Sequence, residues 1–366
     1  MKILYIISSL GFGGAERIVC DLADNMVKSG MQVEIICLKG SIEISPKNSD
    51  IKIHQLNLNS IVDFITCWNK ISKIMREFDC DIIHAHMYHS IIISRILAKK
   101  FNKIVISHAH NTNYGGWYRG LIYRMTDFLS HLNVNVSSEA TNIFIQDKLF
   151  SIYKSITVVN GIDTNRFEKN SSVRETLRSH YSIADDEIIL INIASLTKQK
   201  DHINLLNSYN YALKKGLTNS RLYLIGDGPL KNIIEEEIKR LGLENNVHLL
   251  GIRNDVVELL NMSDVFVLSS EWEGLPLVVA EAMSCERVVL STDCGGVREI
   301  LKDQRYLVEI KKSDELGDKI IEVANYSQDE REMIGSINRA IVLKDYSLDK
   351  MSRFWATKYK EFSLTK

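Results

Sequence analysis

Short apolar runs alternate with amphipathic stretches along almost the whole chain, and that alternation limits its fold more than any other feature. Strands are expected over Lys2–Ser8, Gln32–Cys37, Lys52–Leu56, Asp81–Ala85, Lys103–His108, Leu132–Val136 and Ile156–Val159. The second half adds Ile188–Ile193, Arg221–Ile225, Val247–Leu250, Val265–Ser269 and Val288–Ser291. So many strand–helix units exceed one ordinary sheet, and the alternation calls for parallel sheets with helices on both faces. A chain of 366 residues is long enough for two domains, at ~100–200 residues each. The polar stretch 165–175, after the turn Asn160-Gly161-Ile162-Asp163, breaks the pattern. The fold expected is α/β, with two doubly wound domains over residues 1–165 and 166–345. Residues 346–366 hold a last aromatic, amphipathic helix, Leu348–Phe362, with Phe354, Trp355, Tyr359 and Phe362. Its apolar stripe must pack on something.

A net charge of −1 gives no global attraction to nucleic acid. Six cysteines (Cys20, Cys37, Cys67, Cys80, Cys285, Cys294) form no C-x-x-C pair and read as reduced, structural thiols of a cytoplasmic protein. The opening KILYIISSL runs straight into a glycine loop and is expected to be a first strand rather than a signal peptide. No stretch approaches the ~20 apolar residues of a membrane span, so any work at a membrane is done from its surface.

The segment Asp264–Glu286 carries the strongest chemical signal. It reads as a buried strand, a polar turn Glu271-Trp272-Glu273-Gly274, and a helix with Pro276 near its first turn. Glu273 lies in the turn and Glu281 on the helix, with seven residues between them. The carboxyl end of a parallel strand is where open α/β sheets bind ligands. A helix N-terminus there favours anions, and carboxylates accept hydrogen bonds from sugar or ribose hydroxyls. A nucleotide-sugar suits this better than a bare phosphate.

Other turns fall on the same side of the strands. Gly11-Phe12-Gly13-Gly14-Ala15-Glu16-Arg17 links the first strand to the first helix and could approach a phosphate through its backbone. A dinucleotide fingerprint fails there, because Glu16 takes the third glycine position and the second strand ends in Cys37-Leu38-Lys39 without an acid. Ala194–His202 follows the first strand of the second domain and puts Lys200 at or just inside a helix start, suited to a diphosphate. Gly226-Asp227-Gly228-Pro229 is either a tight turn or a ligand contact. Gly251-Ile252-Arg253 could flank a base, and the turn Cys294–Glu299 would complete the wall behind the sugar.

Two histidine pairs, His84/His86 and His108/His110, end neighbouring strands. In each pair both rings face the same side. Metal binding and hydrogen bonding to a ligand are both open to them, but no nearby Cys or carboxylate completes a ligand set. His84 and His108 suit packing. Asp79-Cys80-Asp81 precedes its strand, at the end opposite the ligand side, so a metal-holding role for that pair is set aside.

In order and spacing, GFGGAER, IIHAH, VVNGIDTNRF, SLTKQKDH, LIGDGPL, VHLLG, the Glu273/Glu281 segment and CGGVREI resemble the retaining glycosyltransferases of family 4, of the bacterial cell-envelope polysaccharide type. The resemblance covers nearly the whole chain. It implies the GT-B architecture of two facing Rossmann-like domains, with the C-terminal helix crossing back to the N-terminal one. It implies transfer of a sugar from a nucleotide-diphosphate donor, UDP-linked, to a hydroxyl of a saccharide acceptor, without a metal or other cofactor. Carried over, Glu281 would bind the ribose and Glu273 would lie beside the donor sugar, with backbone N–H groups of Gly274 and Leu275. Lys200 would neutralise the departing diphosphate. Gly13 and Gly14 would approach the phosphates, and His86 would reach the sugar near the reaction centre. Arg253 completes the nucleotide side. Ser195 departs from the family, which commonly carries Arg there. His110, Asn111 and Trp117 are expected on the acceptor side.

A lipid-linked acceptor at the inner face of the cytoplasmic membrane is expected from the run Asn113–Met125, whose aromatics and two arginines suit a surface-bound helix. Lys70, Lys73 and Arg76 form a second basic face that anionic lipids could attract. Aromatics packed inside and solvated charges would explain both equally simply. The rival functions are a nucleotide-sugar epimerase of the same architecture and a catalytically silent nucleotide-sugar-binding relative.

Overall fold

The computed structural model describes residues 1–11, 13–58 and 63–364, so Phe12 of the glycine loop lies outside the described residues. The chain forms two compact units, Met1–Gly161 with Leu348–Lys366, and Ile162–Ser347.

The first unit is built on a seven-stranded sheet in the order β3-β2-β1-β4-β5-β6-β7. These strands are β1 (Lys2–Ile7), β2 (Gln32–Cys37), β3 (Lys52–Gln55), β4 (Ile82–His86), β5 (Ile104–His108), β6 (Leu132–Asn135) and β7 (Ser155–Thr157). All pairings are parallel. Helices cover both faces, which is why the central strands are apolar at successive positions rather than at alternate ones. One core gathers Leu4, Ile6, Ile83 and Val105 with Leu97 and Met75. A second holds Ala85, Ile91, Tyr123, Phe144 and Phe150. The last helix, Leu348–Leu364, belongs to this unit and buries Trp355 and Tyr359 completely. Tyr359 Oη lies 3.1 Å from Tyr5 Oη and 2.6 Å from His84 Nδ1, so Tyr359 finds its partners on β1 and β4, whereas Phe354 of the expected stripe stays 40% exposed.

The second unit holds a six-stranded sheet in the order β10-β9-β8-β11-β12-β13. Its strands are β8 (Ile188–Ile193), β9 (Ser220–Ile225), β10 (Val247–Gly251), β11 (Val265–Leu268), β12 (Val288–Thr292) and β13 (Leu307–Val308). In both sheets the order reverses beside the first strand, between β1 and β4 and between β8 and β11. Such reversal points open a crevice at the carboxyl ends of the strands.

The differences from the sequence reading are local. The unit boundary falls after Gly161, where the backbone of Ile162 pairs with Tyr346, and not at residue 165. The strand expected over Asp81–Ala85 is shifted by one, because Asp81 accepts from the backbone N of Lys2 at 2.8 Å and leaves His86 to close the strand. The two-residue β13 was not expected; it is too short to show a period, and its pairing with β12 alone defines it.

Candidate functional site

In the second unit the loops after β8 and β11, neighbours at the reversal point, are knitted together. Lys198–Lys200 form a 3-10 turn and Asp201 caps the helix His202–Lys214, so Lys200 stands before that helix rather than inside it. Gln199 O accepts from Glu271 N at 2.8 Å, and Lys200 O accepts from Ser269 Oγ at 2.8 Å. Those backbone bonds bring the two side chains together. Lys200 Nζ donates to Glu273 Oε1 at 2.5 Å. The same carboxylate accepts from Ser270 Oγ at 2.7 Å and from Gln199 Nε2 at 3.2 Å. Glu273 is 5% exposed, so its charge is compensated by an adjacent cation and two neutral donors. His202 is buried beside this turn with neither ring nitrogen bonded. Burial, reinforced by the Lys200 charge, pushes its pKa down to about 4, which keeps it neutral. Its sequence signal, a lone His after Lys200-Asp201, did not single it out.

Gly274 and Leu275 are buried in the turn, and Pro276 immediately precedes the helix Leu277–Ser284, on which Glu281 is partly exposed. Two glycine turns support these loops. Gly295, at φ +52°, packs so closely on the Glu273 carbonyl that a Cβ there would collide with it. Gly296 N donates to Gly274 O at 3.1 Å. Gly226 likewise leaves no room for a Cβ against the carbonyl of Ala194, and Leu196 N donates to Asp227 O at 3.0 Å. Of the two readings open for the Gly226–Pro229 turn, the packing one has its contacts in the structure. Ser195 is exposed at the loop tip. Arg253 follows β10 and is held by Asp255, Nη2 to Oδ2 at 2.5 Å, apart from the Lys200–Glu273 pair along the sheet.

In the first unit, the reversal point holds the glycine loop after β1 and His86 at the end of β4. Gly13 is the residue before the helix Gly14–Lys28, and the Glu16 carboxylate folds back over it, so that a Cβ at Gly13 would require that carboxylate to move. Ser9 Oγ donates to Glu16 Oε1 at 3.1 Å, and burial raises the Glu16 pKa. The residue that breaks the dinucleotide fingerprint thus sits inside the loop, its carboxylate over Gly13 and bonded by Ser9.

The four histidines form one stacked cluster. His86 Nδ1 is 2.9 Å from His110 Nε2, and His84 Nε2 is 3.2 Å from His108 Nδ1. His108 and His110 stack at 4.3 Å, and Trp355 lies 4.4 Å from the His84 ring. Burial, with the neighbouring imidazoles adding to it, holds His84, His86 and His108 well below the ordinary histidine range. His86 Nε2 is buried without a partner. The residue after it, Met87, has φ 71°, a strained conformation for a side chain of that kind. Imidazole nitrogens of His84, His86 and His108 come within 4.8 Å of one another, close enough to suggest a metal. The donor set fits one poorly, because both His84 nitrogens are engaged, one with Tyr359 and one with His108. Asp79 and Asp81 are spent on Lys103 and on the Lys2 backbone. Asn111 O accepts from Asn135 Nδ2 at 3.2 Å, and Trp117 is 80% exposed beyond it.

Two parallel doubly wound sheets, each with its loops at a reversal point, are the architecture that the GT-B resemblance implies. Residues 12–166 match the model described as Glycosyltransferase Family 4, and residues 173–340 match that of Glycosyl transferases group 1. The chain belongs to this glycosyltransferase family. It is 35% identical to an uncharacterized glycosyltransferase of Methanocaldococcus jannaschii, over 63% of this chain and 60% of that protein. It is 24% identical to N-acetyl-alpha-D-glucosaminyl L-malate synthase of Bacillus anthracis, over 95% and 93%. It is 23% identical to the UDP-Gal:alpha-D-GlcNAc-diphosphoundecaprenol alpha-1,3-galactosyltransferase of Escherichia coli, over 69% and 68%. Among solved structures, Anabaena HepE in complex with UDP and glucose superposes with a TM-score of 0.86 at 21% identity, covering 98% of this chain and 99% of that one. Among the described residues no helix is long and apolar enough to cross a membrane.

Proposed function

We propose that this glycosyltransferase moves a sugar from a UDP-linked donor to a hydroxyl of a lipid-linked saccharide, with retention at the anomeric carbon and without a metal. The observation that carries the reading is the Lys200–Glu273 pair at the reversal point between β8 and β11. A pre-placed cation there meets the charge that grows on a departing diphosphate. Glu281 binds the ribose, Gly274 and Leu275 bind the sugar hydroxyls through their N–H groups, and Arg253 flanks the base. In the first unit Gly13 and Gly14 approach the phosphates and His86 offers the unpartnered Nε2 to a sugar hydroxyl.

The bond from the anomeric carbon to the diphosphate breaks with its electron pair leaving on the diphosphate oxygen. The acceptor oxygen attacks from the same face through an ion-pair-like state, and its proton passes to the departing diphosphate. No side chain is needed as a nucleophile. The diphosphoundecaprenol named for the Escherichia coli relative supports a lipid-linked acceptor, and such an acceptor would put the work at the inner membrane face, with His110, Asn111 and Trp117 on the acceptor side. The malate named for the Bacillus anthracis relative supports a small soluble acceptor instead, so the acceptor is the part to test first.

The experiment is incubation with a panel of radiolabelled nucleotide-sugars, with and without saccharide-diphosphoprenol acceptors. Label moving to the lipid fraction only with acceptor is expected. Label converted to an isomeric nucleotide-sugar without acceptor would establish an epimerase instead, and nucleotide binding with no turnover would establish a silent relative.

A further inference from the structure

We propose that the helix Trp117–Thr126 and two short turns beside it form a docking face for an anionic lipid bilayer. This deepens the lipid-linked acceptor reading and rests on it for its purpose, but not for its evidence. The helix is inverted with respect to an ordinary surface helix: of its ten residues only Gly120 and Tyr123 are buried. Trp117, Leu121 and Met125, spaced four apart and so on one face, are 80%, 46% and 64% exposed.

The apolar face continues beyond the helix. Phe128, in the 3-10 turn Asp127–Leu129, is 72% exposed, and Ile152 and Tyr153, in the turn Ile152–Lys154, are 64% and 97% exposed. The two turns are neighbours, because Ser151 N donates to Asp127 Oδ2 at 3.2 Å and Lys154 Nζ donates to Ser130 O at 2.9 Å. Large side chains left in water on three adjoining elements are unusual on a protein that works alone.

The charges around them select the occupant. Lys99 lies over the Phe128 ring at 5.7 Å and Arg124 rises from the exposed side of the helix, whereas Lys154 turns inward onto Asp127 and Ser130. Asp127, the acid between them, is buried and faces Arg95 and Lys154, both at 3.4 Å, while Asp147 is exposed beside Arg124. Apolar and aromatic side chains that protrude among cations, rather than lining a groove, suit the headgroup boundary of an anionic membrane. The mount is rigid: Arg95 is wholly buried, and its guanidinium bonds the Tyr123 carbonyl at 3.1 Å and Thr126 Oγ1 at 2.9 Å. The face starts directly after the loop that carries His110 and Asn111, so a docked chain would hold that loop near the bilayer. Lys70, Lys73 and Arg76 do not compete for this role. Lys73 is matched by Glu77 at 3.6 Å, and none of the large apolar side chains found exposed among the described residues belongs to their helix.

The test is sedimentation of the full chain with vesicles of phosphatidylcholine alone and with an equal part of phosphatidylglycerol, at low and high salt. Binding to the anionic vesicles at low salt is expected. Lys99→Glu/Arg124→Glu should weaken it about fivefold for each charge removed, and Met125→Ser/Phe128→Ser should abolish it, with thermal midpoints near that of the parent. A wild type that stays in the supernatant overturns the proposal, as does a Met125→Ser/Phe128→Ser chain that pellets like the parent. A dimer without lipid that the same variants dissolve also overturns it, in favour of a second copy on this face. Label transfer to a detergent-solubilised saccharide-diphosphoprenol, measured in parallel, separates the two readings. Vesicle binding without transfer to that lipid sinks the lipid-linked acceptor alone, and transfer without vesicle binding sinks the docking face alone.

Discussion

Lys200 and Glu273 meet as a part-buried ion pair, Nζ to Oε1 at 2.5 Å, although they come from loops that follow different strands. The pair holds the lysine in place before any ligand arrives, and a cation fixed beforehand needs no reorganisation when charge develops. Lys200→Ala is therefore expected to lower kcat by about 10²–10³-fold, with a smaller change in KM. Steady-state kinetics on the identified donor decide it. A change confined to KM would make Lys200 a uniform binder and remove its place in the transition state.

Glu281 is expected to act on binding alone. In the proposed site its carboxylate, on the helix after the Glu273 turn, accepts from the ribose hydroxyls, and truncation removes that charged acceptor. Glu281→Ala should weaken nucleotide-diphosphate affinity by ~1.5–3 kcal/mol. Calorimetry on a folded variant checks this, and unchanged affinity would move the ribose elsewhere.

Much of this was legible in the sequence because its cause is local. Successive apolar positions in β1, β8 and β11 announce strands buried on both faces, and glycines at strand ends announce close backbone approach. The pairing of Lys200 with Glu273 was not legible. It depends on β8 lying beside β11, a neighbour relation that no local pattern encodes. The four-histidine stack was half visible as two i, i+2 pairs, but Tyr359 and Trp355 reach it from the other end of the chain. Gly226 and Gly295 could be read as turns, yet what each excludes a side chain for, the carbonyls of Ala194 and Glu273, is tertiary.

Gly295 separates support from stability. Ala at φ +52° costs about 1–2 kcal/mol in backbone strain, and its Cβ must also push the Glu273 carbonyl aside. Gly295→Ala should therefore lose activity out of proportion to its loss in denaturant stability. Gly242→Ala is the control, since Gly242 has φ +69° with open space around it. Equal activity losses in the two variants would show that Gly295 does not position Glu273.

Metal independence is expected from what the candidate ligands already do. His84 is bonded at both nitrogens, and Asp79 and Asp81 are tied to Lys103 and Lys2. Transfer should persist in excess chelator. Loss of activity that Mg²⁺ or Mn²⁺ restores would defeat the expectation and return attention to His86 and His108.

The histidine stack gives the first unit a pH limit whose sign is fixed. Burial lowers the folded pKa values of His84, His86 and His108 well below 6.5, and that of His110 to about 3. Below pH ~6.5 the unfolded chain takes up protons at these rings that the folded chain refuses, so stability falls as pH falls through that value. Each ring contributes a slope of up to ~1.4 kcal/mol per pH unit until its folded pKa is reached. The loss should begin between pH 7 and 6, earlier than the titration of ordinary carboxylates, whose pKa values lie near 4. His108→Gln removes one such ring and should flatten the dependence of unfolding free energy on pH between 6.5 and 5, whatever its effect at neutral pH. Denaturant titrations across that range measure it. A slope unchanged by the substitution would mean that His108 is protonated in the folded chain, which its burial against three other imidazoles makes costly.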